Sequence, residues 1–200
     1  GTVAGLVERF GPDRCLDTPI SESAMTGFGL GAALGGLRPV HVHIRVDFLA
    51  IALGQLLNMV APYSYSTRGR VKVPLTIRAV VGRGWGQGWQ HSKSLHSVFA
   101  HIPGLKVVAP TRARDAKGLL TAAIRDDSPV LVIEHRWLYW AEDEVPEEPY
   151  ETPIGPGVRL REGDDLTVVA TSWMAVEALR AAKILARAGV SVEVVDPRTL

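Results

Sequence analysis

The sequence predicts an α/β fold, a parallel sheet covered by helices on both faces, on three observations. Four short runs rich in Val and Ile read as strands: VHVHIRV from Val40, LTIRAVV from Leu75, KVVAP from Lys106 and VLVIEH from Val130. Helical stretches alternate with them, which is the rhythm of a parallel sheet. Past a change of composition, the order strand, helix, strand returns in DLTVVATSWMAVEALRAAKILARAGVSVEVVDPRTL. With 46% apolar residues among 200, the chain can bury a core.

The elements follow in order. The opening GTVAGLVERFGP reads as a helix that lacks the element it should pack against. Helices are expected over Ser23 to Leu34, about Leu49 to Val60, His96 to Ala100 and Arg114 to Ile124, the last following a proline and carrying an acid in its first turn. Residues 1–140 are assigned to one domain. Between Ala141 and Gly157 the composition turns to Glu, Pro and Gly, read as a linker. Residues 158–200 then begin a second domain, with Gly189 closing its helix and the last strand ending near Asp196. One strand-helix-strand unit cannot bury both faces of two strands, so the chain reads as cut off inside that domain.

Charge is nearly balanced, 22 basic against 21 acidic residues, and Lys and Arg are scattered singly, so neither nucleic acid nor an anionic membrane is an implied partner. The single Cys15 forms no internal disulfide. No signal-like or long apolar segment is read, which makes a cytoplasm, or an organelle matrix, the default location.

Two segments stand out. In DTPISESAMTGFGLGAALGGLRP, Glu22 opens a helix whose Gly27, Gly31 and Gly35 recur every four residues. Each interior helical glycine costs about 1 kcal/mol against Ala, so a shared glycine face needs a packing or ligand reason, such as close approach by another backbone. The second is GRGWGQGWQHS, a glycine-rich loop ending at His91. Alone, Glu22 is an acid favoured by the helix dipole and Phe48 a core aromatic. His91 after four glycines is placed for function, because loops carry sites. His41 and His43 alternate on a strand face as packing or hydrogen-bonded histidines; His96, His101 and His135 have no partner legible in the sequence. The loop glycines lack the Lys-Ser/Thr ending of a phosphate cradle, and no GxGxxG opens a helix after a strand, which leaves a nucleotide-binding module weak.

The segments RFGPDRCLDTPISE, GFGLGAALGGLRPV, QHSKSLHSVFAHIPGLKVVAPTRARDAKGLL, AAIRDDSPVLVIEHRWLY and AGVSVEVVDPRTL together resemble, nearly end to end, the beta subunit of the decarboxylating component of 2-oxoacid dehydrogenase complexes, as in pyruvate, branched-chain oxoacid and acetoin dehydrogenases. The resemblance implies a transketolase-like pyrimidine-binding domain for thiamine diphosphate, followed by the start of a transketolase-type C-terminal domain. It makes Glu22 the acid on the aminopyrimidine ring, where a carboxyl group helps the cofactor's own amino group take the thiazolium proton. It makes Phe48, at the end of the VHVHIRV strand, the aromatic stacked on the pyrimidine, Ile20 an apolar contact to it, and His91 the histidine on the substrate side. It also implies a structural potassium ion held near Leu75, Ala123, Asp126 and Ser128.

The GDG motif that holds Mg²⁺ and the diphosphate in this superfamily is absent. That half of the site is expected from an alpha subunit, in an assembly of two alpha and two beta chains that decarboxylates a 2-oxoacid and passes the acyl group to a lipoyl group on a partner acyltransferase. The glycine face of the Glu22 helix would lie at a subunit contact. The chain departs from the family pattern at Ser128, where Asn is usual, at Pro62, where Lys is common, and at Leu95 and His96, where many relatives carry Pro and Glu. The rivals are a transketolase-like or deoxyxylulose-phosphate-type synthase, which would carry its glutamate in an AEQ or AEH context and the diphosphate motif on the same chain, and a silent paralogue acting as a scaffold.

Overall fold

A four-stranded, wholly parallel sheet lies at the centre of the computed structural model, which describes residues 3–200. Its strands are β1 (Val40–His43), β2 (Thr76–Val81), β3 (Lys106–Val108) and β4 (Val130–His135), in the order β1-β2-β4-β3. The inner strands β2 and β4 are apolar almost throughout because both faces are covered along most of their length. One face, carrying Leu75, Ile77, Ala79, Leu131 and Ile133, packs against Leu30 and Ala33 of the Glu22–Leu34 helix, against Phe99, and against a helical run over Val46–Ser66. The other face puts Val108, Val130 and Val132 on Leu119 and Ala123 of the Ala113–Arg125 helix.

That second face is not covered throughout. Val40 is 41% and Val42 37% exposed on β1, and Ile44 beyond it 82%. The expected strand from Val40 also ends early, at His43, and the chain turns helical at Val46 rather than at Leu49. The Val46–Ser66 run is long and apolar enough, by length and composition, to cross a membrane. Its Val46, Leu49, Ala52, Leu56 and Val60 are nevertheless fully buried in the core, and a 3-10 turn at Ala50–Ala52 and a π turn at Leu56–Val60 interrupt its α-helical geometry.

Gly1 and Thr2 of the opening segment lie outside the described residues; the remainder forms a short helix at Leu6–Phe10 with no buried residue. His41 and His43 pack with ring centroids 4.2 Å apart, but His41 Nδ1 and His43 Nε2 are buried without hydrogen-bond partners, so these side chains pack rather than bond.

The segment after Trp140 lies along the Ala113–Arg125 helix as a strap. Lys117 Nζ donates to the carbonyls of Pro146, Glu147 and Glu148, Tyr150 Oη to that of Arg114, and Arg125 pairs with Glu151. Gly118 permits this, since a Cβ there would collide with Thr152 and Tyr150. Beyond the strap is a strand absent from the sequence reading, β5 (Val158–Arg161), antiparallel to β7 (Val192–Asp196), while β6 (Leu166–Val169) pairs with β7 in parallel. The Trp173–Ala186 helix packs Ala182 on Val192 and Val194. The tail returns to the first sheet: Arg198 carbonyl accepts from Ala109 N, Leu200 N donates to Val107, and Arg198 Nη1 donates to buried Asp115 at 2.9 Å.

Candidate active site

Glu22 is the first residue of its helix and is half-buried; its side chain has no hydrogen bond or ion pair among the described residues. One residue on, Ser23 Oγ donates to the carbonyl of Ile51 at 3.1 Å, tying the start of this helix to the turn that follows Phe48. Thr26 Oγ1, one helical turn after Glu22, is buried and unpartnered. Ile20 precedes the helix with its side chain out, 96% exposed. Phe48 lies in the first helical turn at Val46–Leu49, not at a strand end, and its ring meets that of His91 edge-on with centroids 5.1 Å apart. Two expected site residues distant in sequence are thus in contact, and Ser23 ties the helix that Glu22 opens to the turn just beyond Phe48.

His91 closes the 3-10 turn Trp89–His91, and its Nδ1 lies 3.0 Å from the carbonyl oxygen of Gln87. A carbonyl only accepts, so Nδ1 carries the proton and the neutral ring is left with Nε2 as an acceptor. In the loop before it Gly82, Gly84, Gly86 and Gly88 all have left-handed φ, from 68° to 117°. Arg45, 3% exposed, donates to the Gly82 carbonyl at 3.0 Å and to Gln87 Oε1 at 2.7 Å, and Arg136 donates to the same Oε1 at 3.0 Å. Lys93 Nζ and N both reach Asp47 Oδ1 at 3.3 Å.

Sequence reasoning passed over Arg45, Asp47 and Gln87. The available signal was an arginine inside an otherwise apolar run. It passed over an aromatic group as well: the Trp173 ring, at the start of a helix in the second domain, stacks on His135 at 5.8 Å and meets Trp137 edge-on at 5.0 Å, while Trp85 of the glycine loop lies 6.1 Å from Trp137.

A cavity of about 260 Å³ opens beside β2 and β4, lined by Arg78, Arg112, Glu134, His135 and Tyr139 among others. Within it Arg78 is bidentate on Glu134 at 2.5 and 2.9 Å and Tyr139 Oη donates to Glu134 at 2.8 Å, while Arg112 pairs with Asp115 outside it. Burial pushes the Tyr139 hydroxyl pKa well up and lowers that of His135 to about 4. None of the expected cofactor residues lines it.

Among the expected cation positions, the Leu75 carbonyl accepts from Val130 N, that of Ala123 from Asp126 N, and that of Asp126 from Arg38 Nη1 at 2.9 Å, while Ser128 N donates to Asp126 Oδ1. Thr76 Oγ1, next to Leu75, is buried and unpartnered. The described residues contain no group of three or more His, Cys, Asp or Glu that could hold a metal.

The glycine face differs from expectation within the chain. The close approach is at Gly29, where a Cβ would sit 3.2 Å from Leu75; one at Gly31 would meet nothing, and Gly35 lies past the end of the helix.

The fit to thiamine diphosphate is divided. A half-buried carboxylate without a partner, a protruding isoleucine and a half-buried phenylalanine suit the polar edge and apolar faces of an aminopyrimidine. No motif suits its diphosphate.

The profile of the transketolase pyrimidine binding domain matches residues 1–140, and that of the transketolase C-terminal domain residues 155–200. The chain is 45% identical over 200 residues to the acetoin:2,6-dichlorophenolindophenol oxidoreductase subunit beta of Cupriavidus necator, covering 100% of this chain and 59% of that one. It is 43% identical over 198 residues to the 2-oxoisovalerate dehydrogenase subunit beta of Bacillus subtilis, with 98% and 61% covered. It spans less than two thirds of the length of either relative. Among solved structures, a split gene transketolase described as an inactive beta4 tetramer superimposes with a TM-score of 0.80 at 25% identity, covering 100% of this chain and 62% of that one.

Proposed function

This chain belongs to the transketolase pyrimidine-binding family, and on that premise we propose that it forms the pyrimidine half of a thiamine-diphosphate site in a 2-oxoacid dehydrogenase beta subunit. The observation that carries the reading is the unpartnered Glu22 carboxylate, tied through Ser23 and Ile51 to the turn that sets Phe48 against His91. Bound thiamine diphosphate would supply the nucleophilic carbon that decarboxylation of a 2-oxoacid needs. Glu22 would hold the polar edge of the pyrimidine ring, Phe48 and Ile20 would supply its apolar contacts, and His91 would offer Nε2 to the substrate. The acyl group then passes to a lipoyl group on a partner acyltransferase.

An alpha subunit supplies the Mg²⁺ and diphosphate half, in an assembly of two alpha and two beta chains. Apolar exposure supports such a contact: Phe28 and Ile51 are each 60% exposed, and the Gly31 face is open. Potassium would be held through the Leu75, Ala123, Asp126 and Ser128 segment, with Thr76 Oγ1 as a candidate further ligand. The setting is the cytoplasm, or an organelle matrix; two rice relatives are named mitochondrial and chloroplastic.

The test uses the full-length chain with and without its alpha partner. Alone it should bind thiamine diphosphate weakly by calorimetry and show no decarboxylase activity, and both should appear on reconstitution. Tight Mg²⁺-dependent binding without a partner would sink the heteromeric reading. The superposition on a split gene transketolase favours one second reading, a transketolase half, and ketol transfer in place of lipoyl acylation by the reconstituted protein would select it.

A further inference from the structure

The loop that carries His91 should not hold one shape unaided. Four glycines at alternate positions, all with left-handed φ, give Gly82 to Gly88 a high backbone entropy that ordering must overcome. Much of its order comes from one stretch, Arg45 to Phe48, whose contacts fall at Gly82, Gln87, His91 and Lys93.

Arg45 is buried and has no carboxylate within ion-pair distance among the described residues. A buried guanidinium must find acceptors, and those it finds are loop oxygens, the Gly82 carbonyl and Gln87 Oε1. Arg136, stacked over Trp85 at 4.1 Å, converges on the same Gln87 oxygen. Two cations on one neutral amide oxygen fix which way the amide faces and give charge-assisted bonds. Asp47, whose side chain is only 4% exposed, holds the far side by accepting from the backbone and ammonium of Lys93. Phe48 closes the set against the His91 ring. Gln87 links the two halves: its side chain is gripped by Arg45 and its carbonyl orients His91 Nδ1.

From this geometry we infer that Arg45, through Gln87 and with Asp47 and Arg136 in support, is the positioning residue that sets the loop and aims His91 Nε2 at the reacting substrate. Arg45 is too buried to touch substrate itself. The inference rests on the proposed role of His91 only in its second half; the ordering of the loop stands on the contacts alone.

Arg83, exposed within the loop, is a built-in reporter, because trypsin cleaves after it only when the loop opens. In the full-length chain, Arg45→Met should raise the rate of cleavage at Arg83 by at least about tenfold with the rest of the chain still resistant, and Arg45→Lys, which reaches one oxygen but not both, should lie between. With the alpha partner present, Arg45→Met should lower kcat about 10- to 100-fold at unchanged thiamine diphosphate affinity, the scale of a misplaced catalytic group. The double variant with His91→Ala should be no slower than His91→Ala alone.

Should Arg45→Met unfold the chain, Gln87→Ala, which removes the shared acceptor and keeps the arginine, carries the same test. Unchanged cleavage at Arg83 in both variants, or losses that multiply in the double variant, would overturn the inference. Normal turnover in His91→Ala would remove the proposed role of His91, while faster cleavage in Arg45→Met would still support the clamp.

Discussion

Acid should loosen this fold well before its carboxylates are protonated, and His43 sets the size of the effect. It is 5% exposed on the core-facing side of β1, the edge strand, with Nε2 unpartnered and the His41 ring 4.2 Å away. Burial, and then the neighbouring His41, push its pKa from 6.5 down to about 3. The folded chain therefore keeps His43 neutral while the unfolded chain takes up a proton near pH 6.5. Stability is full above that pH and is lost as pH falls from there toward about 3. From about pH 7 to about pH 5 the unfolded state gains most of one proton and the folded state almost none, a loss of about 2 kcal/mol. His135, lowered to about 4 chiefly by burial, contributes a similar loss over the same interval. Together they remove about 4 kcal/mol from a domain stability of about 5–15 kcal/mol. Urea unfolding followed by circular dichroism at the two pH values measures this directly. His43→Gln, which cannot titrate, should remove about 2 kcal/mol of the pH dependence and leave what His135 and the likewise lowered His41 and His96 carry. A variant with the same pH dependence as the native chain would refute the reasoning.

Two further outcomes follow from the geometry. Glu22→Gln should fold and assemble normally yet lower decarboxylation in the reconstituted enzyme roughly 100-fold, the scale of lost acid-base chemistry, and near-normal turnover would remove Glu22 from the mechanism. Arg198→Met should destabilise the chain by about 3 kcal/mol, because it breaks a buried pair and leaves Asp115 with Arg112 alone. Hydrogen exchange at the Ala109 and Leu200 amides should quicken, and unaltered protection there would show that the tail is held by something else.

How much could be read from residue order varies by element, for physical reasons. β2 and β4 were legible because a strand buried between packed layers is apolar almost throughout, and β3, β6 and β7 because each carries a run of Val, a β-branched residue that suits a strand, even though β6 is largely exposed. The Glu22 helix and its end were legible for the same kind of reason. β5 was not: VRLR alternates arginines on an edge strand after a proline-glycine turn, and only its antiparallel partner β7 makes it a strand. The start of the helix at Val46 was hidden because Ile44, Arg45 and Val46 suit a strand by composition, yet one points to solvent and two to the interior.

The sequence by itself determined the parallel α/β class, the helix that Glu22 opens, and the lack of a diphosphate motif, since each depends on residue type at short spacing. Its resemblance to known beta subunits reached Glu22, Phe48 and His91 one at a time. Only tertiary structure decided that Phe48 lies against His91, that Gly29 rather than Gly31 takes the close contact, and that buried Arg45 grips a loop 37 residues further along at Gly82. Such contacts are not written in local pattern, because a guanidinium chooses its acceptors by distance in space, and the chain sets that distance only when it folds.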